Sequence, residues 1–573
     1  MKNVYSLFLC VLLFSSCGYL DFDETNGRFT REDMYAYFQK AKQMLTNVYS
    51  YMPQGFNPIG NAMRDCATDD AQFADLSASV QLFNNGNWSA LQTVDTQWGL
   101  YRGIRAANEF IESISLADFS RFEHNTSYEQ WKSQLAFFPY EARVLRAYYF
   151  FELARRYGDI AMPLKMLSTD EANQIAKTPF REVIAFIVKE CDECASSLPI
   201  TYTDQLAKET GRVTKGFAMA VKSKALLYAA SPLHNPEGDK ERWLASAKAA
   251  WEVINLKKAD GTPVYQLDPN LVANNISSKE GILFRMNGDN NTFELNNFPV
   301  RFTKGKRTEM MTGTFPTQNL VDAFQTVSGY SVILEKERWV SDDPDFDPQD
   351  PYTRRDRRFD RTILANGMSF KGATIETFEG GLDNVATTEG GTPTGYFLRK
   401  YIQETTSFET DKEVKNKHHW VIYRLAEAYL AFAESMIEYN DDPQYVYPDF
   451  GNGASASWAI NQIRNNAQMP NIEATPAYQN IQTKDGFKEA LRNEWRVEFA
   501  FEDHRFWDIR RWNIGGKTGN NIDGIKIKSN NGSFVYNRYT YAQRVWNNRM
   551  NLYPIPQEEL YKNSYLNPQN TDW

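Results

Sequence analysis

The sequence predicts a mainly α-helical scaffold of paired helices joined to a loop-rich half with short β-strands. Two observations carry that expectation. Three long stretches repeat apolar residues at helical spacing, and between about 255 and 420 that rhythm breaks into clusters such as NGDNN (287–291) and NGMSFKG (366–372), separated by short β-rich runs. Long loops held on a rigid frame commonly carry binding residues, so a helical frame with a loop-built site follows.

The elements are justified in chain order. Met1 and Lys2 open a run of roughly ten apolar residues that stops at Cys17, too short to span a bilayer, which needs about 20. Ser15 and Ser16 stand directly before Cys17, an arrangement that resembles the bacterial lipobox. The resemblance implies a signal over 1–16, cleavage before Cys17 and diacylation of its thiol. Each buried CH₂ of such a chain contributes about 0.8 kcal/mol, so two or more acyl chains anchor stably. Gly18 and Tyr19 lack the aspartate that holds lipoproteins at the inner membrane. Asp21, Asp23 and Glu24 resemble the signal that sends some lipoproteins to the outer face, and they would form a solvated tether.

From 17 to 254 the chain reads as a helical region. YEARVLRAYYFFELARRYGD and TKGFAMAVKSKALLYAASPL are helix-periodic and end at Gly158 and Pro232. From 255 to 573 the loop-rich part is followed by closing helices. In HHWVIYRLAEAYLAFAESMIEY, Ile422, Leu425, Ala426, Tyr429 and Ala433 predict one buried helical face, with alanine allowing close approach. Such pairs of small and aromatic residues resemble degenerate tetratricopeptide repeats without a clean 34-residue period. No Pro-, Ser- or Gly-rich linker divides the 573 residues, so one body or two interleaved lobes is expected.

Composition excludes several classes. Hydrophobic residues at 42% and charged residues at 24% argue against disorder. A net charge of −9 leaves no electrostatic footprint for nucleic acid. Aromatic residues reach 14%, enough to serve both helix packing and sugar faces. Without Cys10 and Cys17, three cysteines remain, which is no disulfide framework.

Near the end stand NEWRVEFAFEDHRFWDIRRW (493–512) and LYPIPQEELYKNSYLNPQN (552–570). With YRGIRAANEFI (101–111), PTQNLVDAF (316–324), DPYTRRDRRFDRTIL (350–364) and AINQIRNNAQMP (459–470), they resemble the SusD/RagB family over nearly the whole mature chain. Trp495 stands where the family often has Arg, and Asp503 where it often has Gly; aspartate tolerates left-handed backbone. The resemblance implies an outer-membrane lipoprotein, facing the cell exterior, that captures oligosaccharides and delivers them to a TonB-dependent porin of the SusC type. A peptide-capturing relative of the same fold is the alternative. Read from its residues alone, the signature is structural: Arg496, Glu498, Glu502, Arg505 and Asp508 alternate with apolar rings, the pattern of buried charges paired through guanidinium forks.

The chemistry is that of a binding protein and not of an enzyme. His504 has no nucleophile motif beside it, His418 and His419 lack the HExxH spacing of a zinc protease, and GGKT (515–518) lacks the leading glycine of a phosphate loop, since Arg511 stands there. Cys191 and Cys194 sit late in an apolar-periodic helix and read as small core residues. Asp343, Asp345 and Asp347 have the spacing of a calcium loop without its glycine or bidentate glutamate, so an acidic turn is favoured over calcium and no cofactor is expected. A glycoside hydrolase would need two carboxylates flanking the bond, and nothing selects Asp69 and Asp70 for that task.

For the ligand site, the stretch 66–90 is the first candidate. Trp88 would stack on a sugar ring while Asp69, Asp70, Asn84 and Asn87 serve its hydroxyls. Tyr396 and the 285–293 loop, with Arg285, Asn287 and Phe293, are added from the later half.

Overall fold

The computed structural model describes residues 31–573 except 206–208, 271–272, 309, 452, 519 and 531–532; Cys17 and the rest of the leader lie outside the described residues. Eight principal helices form a row in which each packs on the next: α1 (Phe38–Ser50), α2 (Leu100–Ser113), α3 (Phe138–Tyr157), α4 (Phe180–Ala195), α5 (Lys215–Ala230), α6 (Lys240–Ile254), α7 (Leu425–Asn440) and α8 (Ala456–Asn466). A row with nearest-neighbour contacts is the order that repeat proteins adopt. Two further helices close the array, α9 (Lys484–Glu498) against α7 and the short α10 (Arg505–Arg511).

Sequence explains the row locally. Thr214 caps α5 by accepting the Phe217 amide, and Gly158, with φ +70°, ends α3 where a side chain would be strained. α3 is buried almost all round, and its interior charges are paired: Glu152 receives Arg155 at 2.7 Å and Arg156 at 3.0 Å. Ala247 and Ala250 on α6 share a core with Ala426, Ala433 and Phe432 on α7, and Ser246 and Ser435 hydroxyls meet at 2.8 Å. Small side chains on both helices permit that approach.

Between α6 and α7 the chain makes a long excursion. It includes β2 (Gly281–Asn290) and returns along β4 (Asn416–Arg424), antiparallel to β2, with Val421 opposite Phe284 and Arg424 opposite Gly281. Two corrections to the sequence reading follow. His418 to Arg424, Ile422 included, is strand and not helix; the helix starts at Leu425. Residues 285–290 are strand as well, followed by a helix at Thr292–Asn297, so the supposed 285–293 loop is largely regular structure. HHWVIYR is apolar and aromatic enough for either state, whereas RMNGDN carries turn-forming residues, and only their pairing with each other makes both strand. The excursion has a core of its own, with Phe298, Phe315, Leu364, Phe370, Ile375, Phe397 and Phe408. The early β1 (Ala71–Phe73) joins it by pairing with β3 (Thr314–Pro316), and a hairpin of β5 (Asn521–Asn530) and β6 (Ser533–Gln543) lies beside it, the Ile525 amide donating to Thr394 O at 2.9 Å. The strand pairs are all two-stranded among the described residues.

Candidate functional site

The carboxy-terminal signature is a charge brace at the junction of helix array and excursion. Arg424, at the end of β4, reaches Glu280 (2.7 Å), Glu498 (2.6 Å) and Glu502 (2.8 Å), while Lys400 also meets Glu502 at 2.6 Å. Glu494 receives Arg358 at 2.6 Å and Arg464 at 2.9 Å; Arg511 pairs with Asp508 and Glu434. Burial alone would raise Glu498, but Arg424 and Arg358 outweigh it and hold its carboxyl down at about 2. Phe501 and Asp503 both take left-handed backbone, φ +61° and +69°, at the turn into α10. The expected turn at Asp503 is there.

Helix α9 has two faces. Phe487, Ala490, Leu491 and Trp495 are buried, whereas Asp485, Lys488, Glu489, Arg492, Asn493 and Arg496 recur at three- and four-residue steps on the other side. That polar stripe forms one wall of an open cleft of about 670 Å³. Opposite stand Asp322, Gln325, Ser331 and Tyr478, with Ile514 and Thr518 at the base of the hairpin. Asn493 Nδ2 donates to Tyr478 Oη at 2.9 Å and to Ala323 O at 3.0 Å, which ties the walls together. Arg492 is half-buried over the Trp512 ring at 5.3 Å, and burial lowers its pKa. The cleft is the size of a small-ligand site and is lined by hydroxyl-, amide- and charge-bearing groups.

The sequence candidates fall around this cleft rather than in it. Asp69 and Asp70 lie under the cleft, beneath two of its lining residues: Asp69 takes both prongs of Arg505 at 2.9 Å, and Asp70 Oδ1 accepts from Arg496 Nε at 2.6 Å. Burial would raise Asp69, yet Arg496 and Arg505 hold its carboxyl well below the usual range; burial prevails at Asp70, which is raised. These carboxylates are spent on arginines. Trp88 is 1% exposed, wedged against Phe83 at 4.6 Å, Tyr553 at 5.0 Å and Trp573 at 4.6 Å. It is a core ring, which corrects its assignment as a sugar platform.

Tyr396 is likewise buried, donating to Gln318 Oε1 at 2.6 Å, and Phe293 packs edge-on against Phe56 at 5.1 Å. Arg285 and Asn287 are half-buried on β2, Arg285 donating to Ser50 O at 3.2 Å, away from the cleft. Asn84 is buried and donates to Cys66 O at 3.1 Å; Asn87 alone of the first group is exposed. The α9 stripe was legible as an amphipathic pattern in KDGFKEALRNEWRVE, but the family signature overlying it drew attention to packing alone.

Other sequence features find structural places. Asp345 pairs with Arg354 at 2.8 Å, Asp343 Oδ1 accepts the Asp345 amide at 3.0 Å, and Asp347 caps a turn at Gln349. Among the described residues no group of three acidic, histidine or cysteine side chains is placed to hold a metal. Cys191 and Cys194 are buried on α4, and burial pushes the Cys194 thiol up to about 12. His504 stacks on Phe499 at 4.1 Å and faces Glu427 at 3.5 Å.

Comparison with known proteins adds to this geometry. Residues 279–573 match the model of the SusD family, and residues 18–227 match a model described as starch-binding associating with outer membrane. A SusD-like protein from Bacteroides fragilis NCTC 9343 superposes with a TM-score of 0.74 at 24% identity, covering 94% of this chain and 98% of that one. A SusD-like carbohydrate binding protein from the same organism gives 0.69 at 21% identity, over 93% and 100% of the two chains. A laminarin binding SusD-like protein gives 0.57 at 20%, over 94% and 100%. At these identities the likeness is one of fold. No curated protein matches the sequence.

Proposed function

This chain belongs to the SusD family, and from that premise we propose that it captures oligosaccharides at the outer membrane without transforming them. The observation that carries the reading is the polar cleft on α9. Its Arg492, Asn493 and Tyr478 offer donors and acceptors beside a ring, the combination that sugar hydroxyls require, and the signature carboxylates are paired to arginines instead of standing free as an acid and base. Capture for hand-over needs only modest affinity, which an open polar cleft provides. The reading extends to a lipid anchor at Cys17, exposure on the outer face, and delivery of the glycan to a SusC-type TonB-dependent porin.

The test is calorimetry of a soluble form lacking residues 1–17 against plant, microbial and host glycans with short peptides alongside. Saturable binding of a glycan, weakened about tenfold by Arg492→Ala in a folded protein, is the expected result. Binding of peptides only would move the protein to peptide capture. Incorporation of labelled palmitate, lost in Cys17→Ala, checks the anchor.

A further inference from the structure

Behind Thr518, which lines the large cleft, lies a second and smaller cavity of about 30 Å³. Its walls include Asn84, Arg510, Arg544 and Trp546. The arginines here differ from those of the brace. Arg510 donates to Phe506 O at 2.8 Å and sits 3.4 Å above the Phe506 ring; Arg544 donates to Cys66 O at 3.0 Å and Ala71 O at 2.7 Å. Among the described residues, no carboxylate forms an ion pair with either. Asp69 borders the cavity but is held by Arg496 and Arg505. Burial, unanswered by a close anion, depresses both guanidinium pKa values to about 10.

The donors are left over as well. Arg544 Nε and Nη1, Arg510 Nε and Trp546 Nε1 are buried without an acceptor. A buried donor without a partner is costly, more so when charged, and four from residues around one cavity mark a place built for an acceptor-rich guest. An apolar cavity that takes a six-membered ring measures about 150 Å³, so about 30 Å³ is enough for one small planar group and too little for a sugar ring. A carboxylate has that size, and its two oxygens match guanidinium donors.

We propose that this cavity receives the carboxylate of an acidic sugar whose ring lies in the adjoining cleft. The inference rests on the glycan-capture reading and narrows it to uronic-acid-containing chains. Trp546 stays at its post because Gly515 lacks a Cβ, which would fall 2.1 Å from the indole ring.

The experiment titrates the same soluble form with trigalacturonic acid, with its carboxyl-reduced neutral counterpart, and with glucuronate and acetate alone. The expected result is at least tenfold tighter binding of the acid trisaccharide than of the reduced one, with the preference abolished in Arg544→Gln and cut at least threefold in Trp546→Phe. The second variant removes the indole N–H with part of the ring and leaves both arginines in place, so it carries the test if Arg544→Gln does not fold. Equal or tighter binding of the neutral trisaccharide leaves glycan capture standing and overturns the carboxylate site. If glucuronate or acetate raises the melting temperature saturably while neither trisaccharide binds, the cavity is a free-anion site and its glycan role is overturned. No response to any probe overturns it too.

Discussion

Arg505 and Arg510 are neighbours on one short helix, yet the two sides of that helix treat arginine in opposite ways. On the brace side each guanidinium meets carboxylates brought from distant sequence, as Arg505 meets Asp69 and Arg424 meets Glu280, Glu498 and Glu502. On the cavity side Arg510 and Arg544 have backbone carbonyls, ring faces and, for Arg544, the Gln72 amide oxygen at 3.3 Å, but no carboxylate among the described residues. A buried charge with its partners supplied fixes a junction; one without them is available to something that arrives later. The two sides therefore assign different work to one residue type.

Removing the cation from each side should give unequal losses. Arg424→Met strips three buried carboxylates of their shared partner, and we expect a loss of about 3–5 kcal/mol, read as a lowered urea midpoint. A smaller effect comes from pH. Burial, with Asp70 and Asp503 nearby, pushes Asp65 up to about 8 from an ordinary 3.8. The folded state then keeps a proton that the unfolded chain releases, so this group's contribution is whole below pH 4 and fades as pH rises towards 8. Glu498 acts oppositely, its contribution present above 4.5 and lost towards 2. The urea midpoint should fall between pH 5 and 8 by the equivalent of about 1 kcal/mol per pH unit, and Asp65→Asn should flatten that slope. The least effect is expected on the cavity side. Arg510→Met leaves no carboxylate bare and replaces the stem by a similar apolar one, so a cost of about 1 kcal/mol or less is expected in the same denaturation. A loss matching that of Arg424→Met would erase the distinction.

Much of the frame was legible in the sequence, because helices such as α3, α4 and α5 carry their reasons locally in apolar spacing, caps and stops. The brace was legible too, from charges alternating with rings in a single stretch. What was not legible depended on partners far along the chain. HHWVIY carries a helix-compatible pattern and becomes strand only because residues 281–290 come alongside it. Asp69 and Asp70 sit among amides and an indole, as sugar-binding residues do, but their positions are decided by Arg496 and Arg505, more than 400 residues on. The burial of Trp88 is hidden for the same reason, since one of the rings that cover it is Trp573. The cleft itself arises only when α9, segment 322–331 and the hairpin base converge.

The excursion between α6 and α7 has a further consequence. Because it departs and comes home at neighbouring points, with β2 and β4 zipped together near its base, the helix row is held to it through that stem and through a few fixed points such as Arg358 and Lys400, and not through every residue beyond. Mutation can therefore rewrite exposed turns of the outer segment while the frame that displays them stays put, so variation collects where it costs the chassis least.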